Sequence, residues 1–166
     1  MEMFADYIMV SDSELDNMIV LNEDQLLSRL EQLTENDDAE IHSLDELWDG
    51  MHFLLTGKSA QDPIDDDELS AAVVGAENFD TEDSFVACIE KEQLEDVVKE
   101  MEKVNMDRLW EKRKLSDFRK KKIYPETWND EDLDDIKAEM SDEFNDLLEF
   151  YRLALKKNMN IVIFIG

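Results

Sequence analysis

Leu44-Asp45-Glu46-Leu47-Trp48-Asp49-Gly50-Met51-His52-Phe53-Leu54-Leu55-Thr56-Gly57 is the stretch around which the rest of the chain is organised. It reads as a helix. Ser43 followed three residues later by Glu46 is a capping box, and Gly57 suits the left-handed residue that ends a helix. At about 100° per residue, Leu44, Leu47, Trp48, Met51, Leu54 and Leu55 share one broad face. Phe53 points the opposite way, so both sides are expected to pack. A polar strip of Asp45, Asp49, His52 and Thr56 runs along one edge. His52 lies one turn from Trp48 and from Thr56 and three residues from Asp49, so contact with each is sterically open.

Outward from this helix, the apolar residues fall into periodic runs. Met3 to Val10 reads as a strand with Met3, Ala5, Tyr7 and Met9 on one face and Phe4, Ile8 and Val10 on the other, interrupted by Asp6. Ser11 with Glu14 predicts a short helix from Asp12 to Val20. Asn22 caps a second helix bearing Leu26, Leu27, Leu30 and Leu33. Thr34 to His42 is polar and reads as a loop. After Gly57 a Pro- and Asp-containing loop leads to a helix over Glu68–Val74, capped by Asp65 or Asp66 and ended by Gly75. The run Asp65-Asp66-Asp67-Glu68 lacks the alternation, central glycine and distal glutamate of an EF-hand loop, so no metal site is expected.

Further along, Ser84–Ile89 is a middle strand, Glu92–Val104 an amphipathic helix, and Asn105 or Asp107 starts another turn carrying Leu109 and Trp110. Ile123-Tyr124-Pro125-Glu126-Thr127-Trp128 is an aromatic turn, because the residue before proline avoids helix. A long helix carries Leu133, Ile136, Met140, Phe144, Leu147, Leu148, Tyr151 and Leu155, with Ser141 a point of division and Asn158 its end. Asn160–Ile165 is a continuously apolar strand, interior to a sheet. The expectation is α+β architecture: one domain spanning residues 1–166, helices around one small sheet that holds the N-terminal, middle and C-terminal strands.

Forty-four acidic against seventeen basic residues give a net charge of −27. That argues against direct binding to nucleic acid or an anionic membrane. It permits a basic protein partner or imitation of nucleic acid; charge that merely keeps a cytosolic protein soluble is the simpler reading. One basic island stands out: Arg108, Lys112, Arg113, Lys114, Arg119, Lys120, Lys121 and Lys122, opposed locally by Glu111 and Asp117. It either neutralises acidic surface elsewhere or receives a phosphate or an acidic partner. The single cysteine, Cys88, allows no internal disulfide, which suits a cytoplasmic setting. No signal peptide is visible, and no apolar run is long enough to span a bilayer.

No phosphate loop or dinucleotide fingerprint is present, no cofactor is expected, and one cysteine with two histidines does not make a zinc site. His52 supports two readings. One is a partly buried histidine bonded to Asp49, Thr56 or backbone. The other is a general acid–base oriented by Asp49 or Asp62, with Trp48 stacked on a ligand and a serine such as Ser59 nearby. Tyr124 and Trp128 are candidate pocket walls.

The Leu44–Gly57 run resembles the signature of the YfbM-like bacterial family. So do Asp65-Asp66-Asp67-Glu68-Leu69-Ser70-Ala71-Ala72-Val73-Val74-Gly75, Ile123-Tyr124-Pro125, and Tyr151-Arg152 with Ala154 leading into the last strand. The resemblance covers nearly the whole chain. It implies a small cytosolic α+β domain of unknown function and transfers no activity. Its motif falls on Trp48, His52, Thr56 and Gly57. Two functions are therefore carried forward. The first is a non-catalytic protein-binding or regulatory module, immunity-like in form, with a basic partner. The second is a small-ligand-binding domain or enzyme using His52 as acid–base beside Trp48.

Overall fold

Alternating apolar residues in the first strand and continuous ones in the last place both inside a sheet. The computed structural model describes residues 2–166. Among them, β1 (Ala5–Val10), β2 (Ile41–Asp45), β3 (Glu77–Asn78), β4 (Phe85–Ile89) and β5 (Asn160–Ile165) form one sheet in the order β2-β1-β5-β4-β3. Every pairing is antiparallel. The last strand is thus central, with Ile161, Val162 and Ile163 at 0% exposure. Each such side chain contributes about 1.5–3 kcal/mol by burial. Phe4 and Gly166 exchange backbone hydrogen bonds at 3.0 Å, extending the β1–β5 pairing past both strand ends.

Helices cover both faces. Helices α1 (Asp12–Ile19) and α2 (Glu23–Glu35) pack over Ile8, Val10, Val86, Cys88 and Val162. On the other face α3 (Trp48–Thr56), α4 (Glu68–Val74), α5 (Lys91–Glu102) and α8 (Leu133–Lys157) cover Ala5, Tyr7, Met9, Ile89, Ile161 and Ile163. Two shorter helices, α6 (Met106–Lys112) and α7 (Leu115–Lys120), add Trp110, Leu115 and Phe118 to this larger core. The alternation in β1 feeds both cores, as its two apolar faces require.

Local chemistry explains most boundaries. Ser11 accepts from the Glu14 amide, and Asn22 forms a full capping box with Gln25. Asn105 caps α6, Gly57 at φ +83 ends α3, and Asn158 at φ +58 ends α8. Helix α8 runs unbroken through Ser141. The cap of α4 is Asp67, whose side chain accepts from the Ser70 amide at 2.9 Å, rather than Asp65 or Asp66. Asp66 sits in the left-handed region at φ +57, a turn conformation.

The expected start of the central helix is overturned. The segment from Ile41 to Asp45 is not loop and helix start but the edge strand β2, paired to β1. Ser43 caps no helix: its Oγ donates to the Ala5 carbonyl at 3.2 Å and accepts from the Asp45 amide at 3.0 Å. Helix α3 begins at Trp48, four residues later than the capping-box pattern placed it, and Asp45 stands outside it. No helix among the described residues is long and apolar enough to cross a membrane.

Candidate functional site

The polar edge of α3 is enclosed. Among the described residues Asp49, His52 and Ser70 are buried, at 1%, 0% and 1% exposure, a burial that among polar side chains only Asn160 on β5 shares. A polar group so placed must be hydrogen-bonded or it destabilises the fold, and each of these is. The Asp49 carboxylate accepts from Ser59 Oγ at 2.9 Å and the Ala60 amide at 2.7 Å through Oδ1, and from the Tyr124 amide at 2.9 Å through Oδ2. It thereby ties two loops, 57–67 and 121–129, to the helix.

His52 faces a different set of atoms. Its Nδ1 lies 2.7 Å from the Lys58 carbonyl and its Nε2 2.7 Å from Ser70 Oγ. A carbonyl only accepts, so Nδ1 carries the proton. Burial holds the imidazole below the ordinary histidine value, against the Lys58 carbonyl and the charges of Asp49, Asp67 and Asp62, which pull it upward. The neutral ring then accepts at Nε2 from the Ser70 hydroxyl, while Ser70 Oγ accepts from the Ile64 amide at 3.0 Å. Thr56 Oγ1 donates to the His52 carbonyl at 2.8 Å and lies 3.2 Å from Nδ1. The expected pairing of His52 with Asp49 or Asp62 is not made. Asp49 bonds elsewhere, and Asp62 pairs with Lys58 at the surface. The hydroxyl on the ring belongs to Ser70, not Ser59. The one hint of it in the sequence was a serine on the apolar side of Leu69-Ser70-Ala71-Ala72.

Of the aromatic candidates, Trp48 and Trp128 are also interior and Tyr124 is half-buried. Trp48 stacks on Tyr124 with centroids 5.5 Å apart, and both bind the backbone of Met3: Trp48 Nε1 donates to its carbonyl at 3.0 Å and its amide donates to Tyr124 Oη at 2.7 Å. Trp128 is 3% exposed, donates from Nε1 to the Ile123 carbonyl at 2.8 Å, and tilts against Phe118. The Tyr124–Pro125 peptide bond between these rings is cis. Tyr7 and Tyr151, which the sequence placed on apolar faces and not among the site candidates, donate to the Val73 and Ala72 carbonyls at 2.6 Å, satisfying the last turn of α4. Burial pushes the Cys88 thiol up to about 12.

Concave surface lies on the far side of the sheet. A shallow depression of about 400 Å³ is lined by Ser11, Ser13, Glu14, Asn17, Leu21 and Arg29, and a second shares Leu21 and Arg29. Arg29 is already held by Glu14 and Gln32. No group of three or more histidine, cysteine, aspartate or glutamate residues among those described is arranged to hold a metal ion.

Charge at the surface is unevenly compensated. Lysine and arginine ion pairs among the described residues engage nine of the forty-four carboxylates. Glu143 is raised by burial and then by Asp146, Asp45, Glu139 and Asp142, a like-charge group shared by α8 and β2. His42 lies 3.6 Å from Glu143, but burial lowers its pKa, so it does not neutralise the group at neutral pH.

Comparison with known proteins gives a consistent picture. A family model described as "Domain of unknown function (DUF1877)" matches residues 1–164. Protein YfbM of Escherichia coli (strain K12) is 29% identical over 126 residues, covering 74% of this chain and 75% of that protein. A crystal structure of YfbM from Escherichia coli, described as a protein of unknown function, superposes with a TM-score of 0.80 over 98% of this chain and 99% of that one. At 22% identity this last likeness speaks to the fold alone.

Proposed function

The chain belongs to the DUF1877 family, of unknown function, and on that premise we propose that it is a non-catalytic binding module for a protein with a basic surface. The observation that carries the proposal is the imbalance of charge. Net −27 is spread over a chain in which nine carboxylates pair with a lysine or arginine among the described residues, leaving most of the surface acids uncompensated. Such a field accelerates encounter with a basic partner and disfavours acidic ones. Asp49 and His52 act here as internal ties. Their polar atoms are held by loop backbone and serine hydroxyls, and a reacting group needs a substrate in that position. The resemblance motif on Trp48, His52, Thr56 and Gly57 is then the packing centre of the fold.

The group around Glu143 is the first contact to test, because a partner cation there relieves repulsion as well as making an ion pair. Basic proteins captured from cell extract on the immobilised chain are identified, and the association rate of each is measured as salt rises. Between 0.1 M and 1 M salt the Debye length falls from about 10 Å to about 3 Å. Association should slow steeply over that range, and should slow at low salt when the exposed residues Glu139, Asp142 and Asp146 are replaced (E139Q/D142N/D146N). Association that ignores both salt and the triple substitution overturns the reading.

A further inference from the structure

The basic island behaves unlike the rest of the chain's cations. Of the nine basic residues outside it, seven form ion pairs: Arg29, Lys58, Lys91, Lys99, Lys103, Arg152 and Lys157. Of the eight inside it, Arg119 alone does so among the described residues, with Asp130 at 3.0 Å. Arg113 donates instead to the Leu54 carbonyl at 2.9 Å, packed over Gly57 at the end of α3. Arg108, Lys112, Lys114, Lys120, Lys121 and Lys122 are all exposed and enter no ion pair among the described residues. In a chain with forty-four carboxylates, cations placed for internal neutralisation find partners; these six do not.

Their arrangement selects among anions. Arg108 and Lys112 are one turn apart on α6 and stand on the same side. Lys114 precedes α7, Lys120 is its last residue, and Lys121 and Lys122 follow it. At 1.5 Å per residue, the six residues of α7 separate the two groups by about 9 Å. A single phosphate needs donors that converge on one point. Cations strung along two consecutive helices match charges distributed along an extended chain.

We propose that the α6–α7 surface docks an extended acidic segment of a partner protein, through the unpaired Arg108, Lys112, Lys114, Lys120, Lys121 and Lys122. This goes beyond the reading of the acidic surface above and stands apart from it: it concerns the cations of α6 and α7, which take an acidic chain.

The test uses the full-length chain and a fluorescent oligoglutamate peptide, followed by anisotropy at low salt, with an oligolysine peptide in parallel. The wild-type chain binds oligoglutamate, and salt weakens the binding. The R108Q/K112Q/K120Q/K121Q variant, changed at exposed positions only, binds oligoglutamate at least about tenfold more weakly, a loss of about 1.4 kcal/mol. It retains its oligolysine binding and its thermal midpoint. A second readout is spectroscopic. Trp110, between Arg108 and Lys112 on α6, buries an indole N–H with no acceptor, whereas those of Trp48 and Trp128 are bonded. Its amide and indole resonances should shift on adding oligoglutamate while the other two indoles stay in place. Failure of the wild-type chain to bind oligoglutamate at low salt overturns the proposal, as does equal binding by the variant. Displacement of the peptide by inorganic tripolyphosphate at equal charge overturns the extended-segment assignment in favour of a compact anion. Loss of oligolysine binding alone would count against the acidic-surface reading and leave this one standing.

Discussion

Asp49 holds three donors from two loops with one carboxylate, so its removal is felt at a distance. Asp49→Ala orphans the Ala60 and Tyr124 amides and should destabilise the fold by about 3 kcal/mol, read from the urea midpoint. Asp49→Asn keeps one acceptor and turns an amide N–H toward the other donors, and should cost less. A variant as stable as wild type would show that the loops hold themselves. His52 makes a prediction in pH. Its folded pKa lies below the ordinary 6.5, because burial disfavours the charged ring. The unfolded chain therefore takes the proton first as pH falls. The His52 contribution is full above about pH 6.5 and is lost progressively as pH drops through the folded value. His52→Asn, which keeps a donor for the Lys58 carbonyl, should be less stable at pH 7.5 but lose less between about pH 7 and pH 5. His42, also depressed by burial, and the carboxylates remain in both proteins, so the difference in slope isolates His52. Identical slopes would place the ring's titration outside the folding equilibrium.

At the scale of elements, α3 approaches the aromatic turn so closely that Gly50 is required. A Cβ there would lie 2.4 Å from Trp128 Cη2 and 3.0 Å from Met140 Cε. Gly50→Ala gains helix propensity worth about 1 kcal/mol, yet forces a buried ring to move. A net loss of about 1–2 kcal/mol is expected in chemical denaturation; an unchanged or higher midpoint would mean the ring shifts freely. These elements were legible in the sequence to different degrees. Helices α2, α4 and α8 and strand β5 each carry a long period or a side-chain cap, and both signals are local. Strand β2 has two apolar residues in five and a Ser-x-x-Glu pattern that imitates a helix start. What makes it a strand is β1, more than thirty residues away in sequence. The same limit applied to the site. That Asp49 and His52 share an edge follows from spacing, but most of their partners lie in two loops and in α4, which only the folded chain brings near.

For the whole molecule, charge is the dominant perturbation. Net −27 on 166 residues repels itself, so the urea midpoint should rise as salt increases through the range where the Debye length shortens from about 10 Å. A midpoint that is flat or falls with salt would mean that the nine lysine and arginine ion pairs outweigh the repulsion. The sheet adds a consequence in time. Its middle rung, β5, pairs with residues made some 150 positions earlier, Val10 opposite Asn160. Until that rung exists, the edges of β1 and β4 that face it in the sheet order have no partner strand. Synthesis stalled before residue 160 would leave those edges available to one another's copies on neighbouring ribosomes, and the protein's vulnerable moment is its manufacture rather than its service.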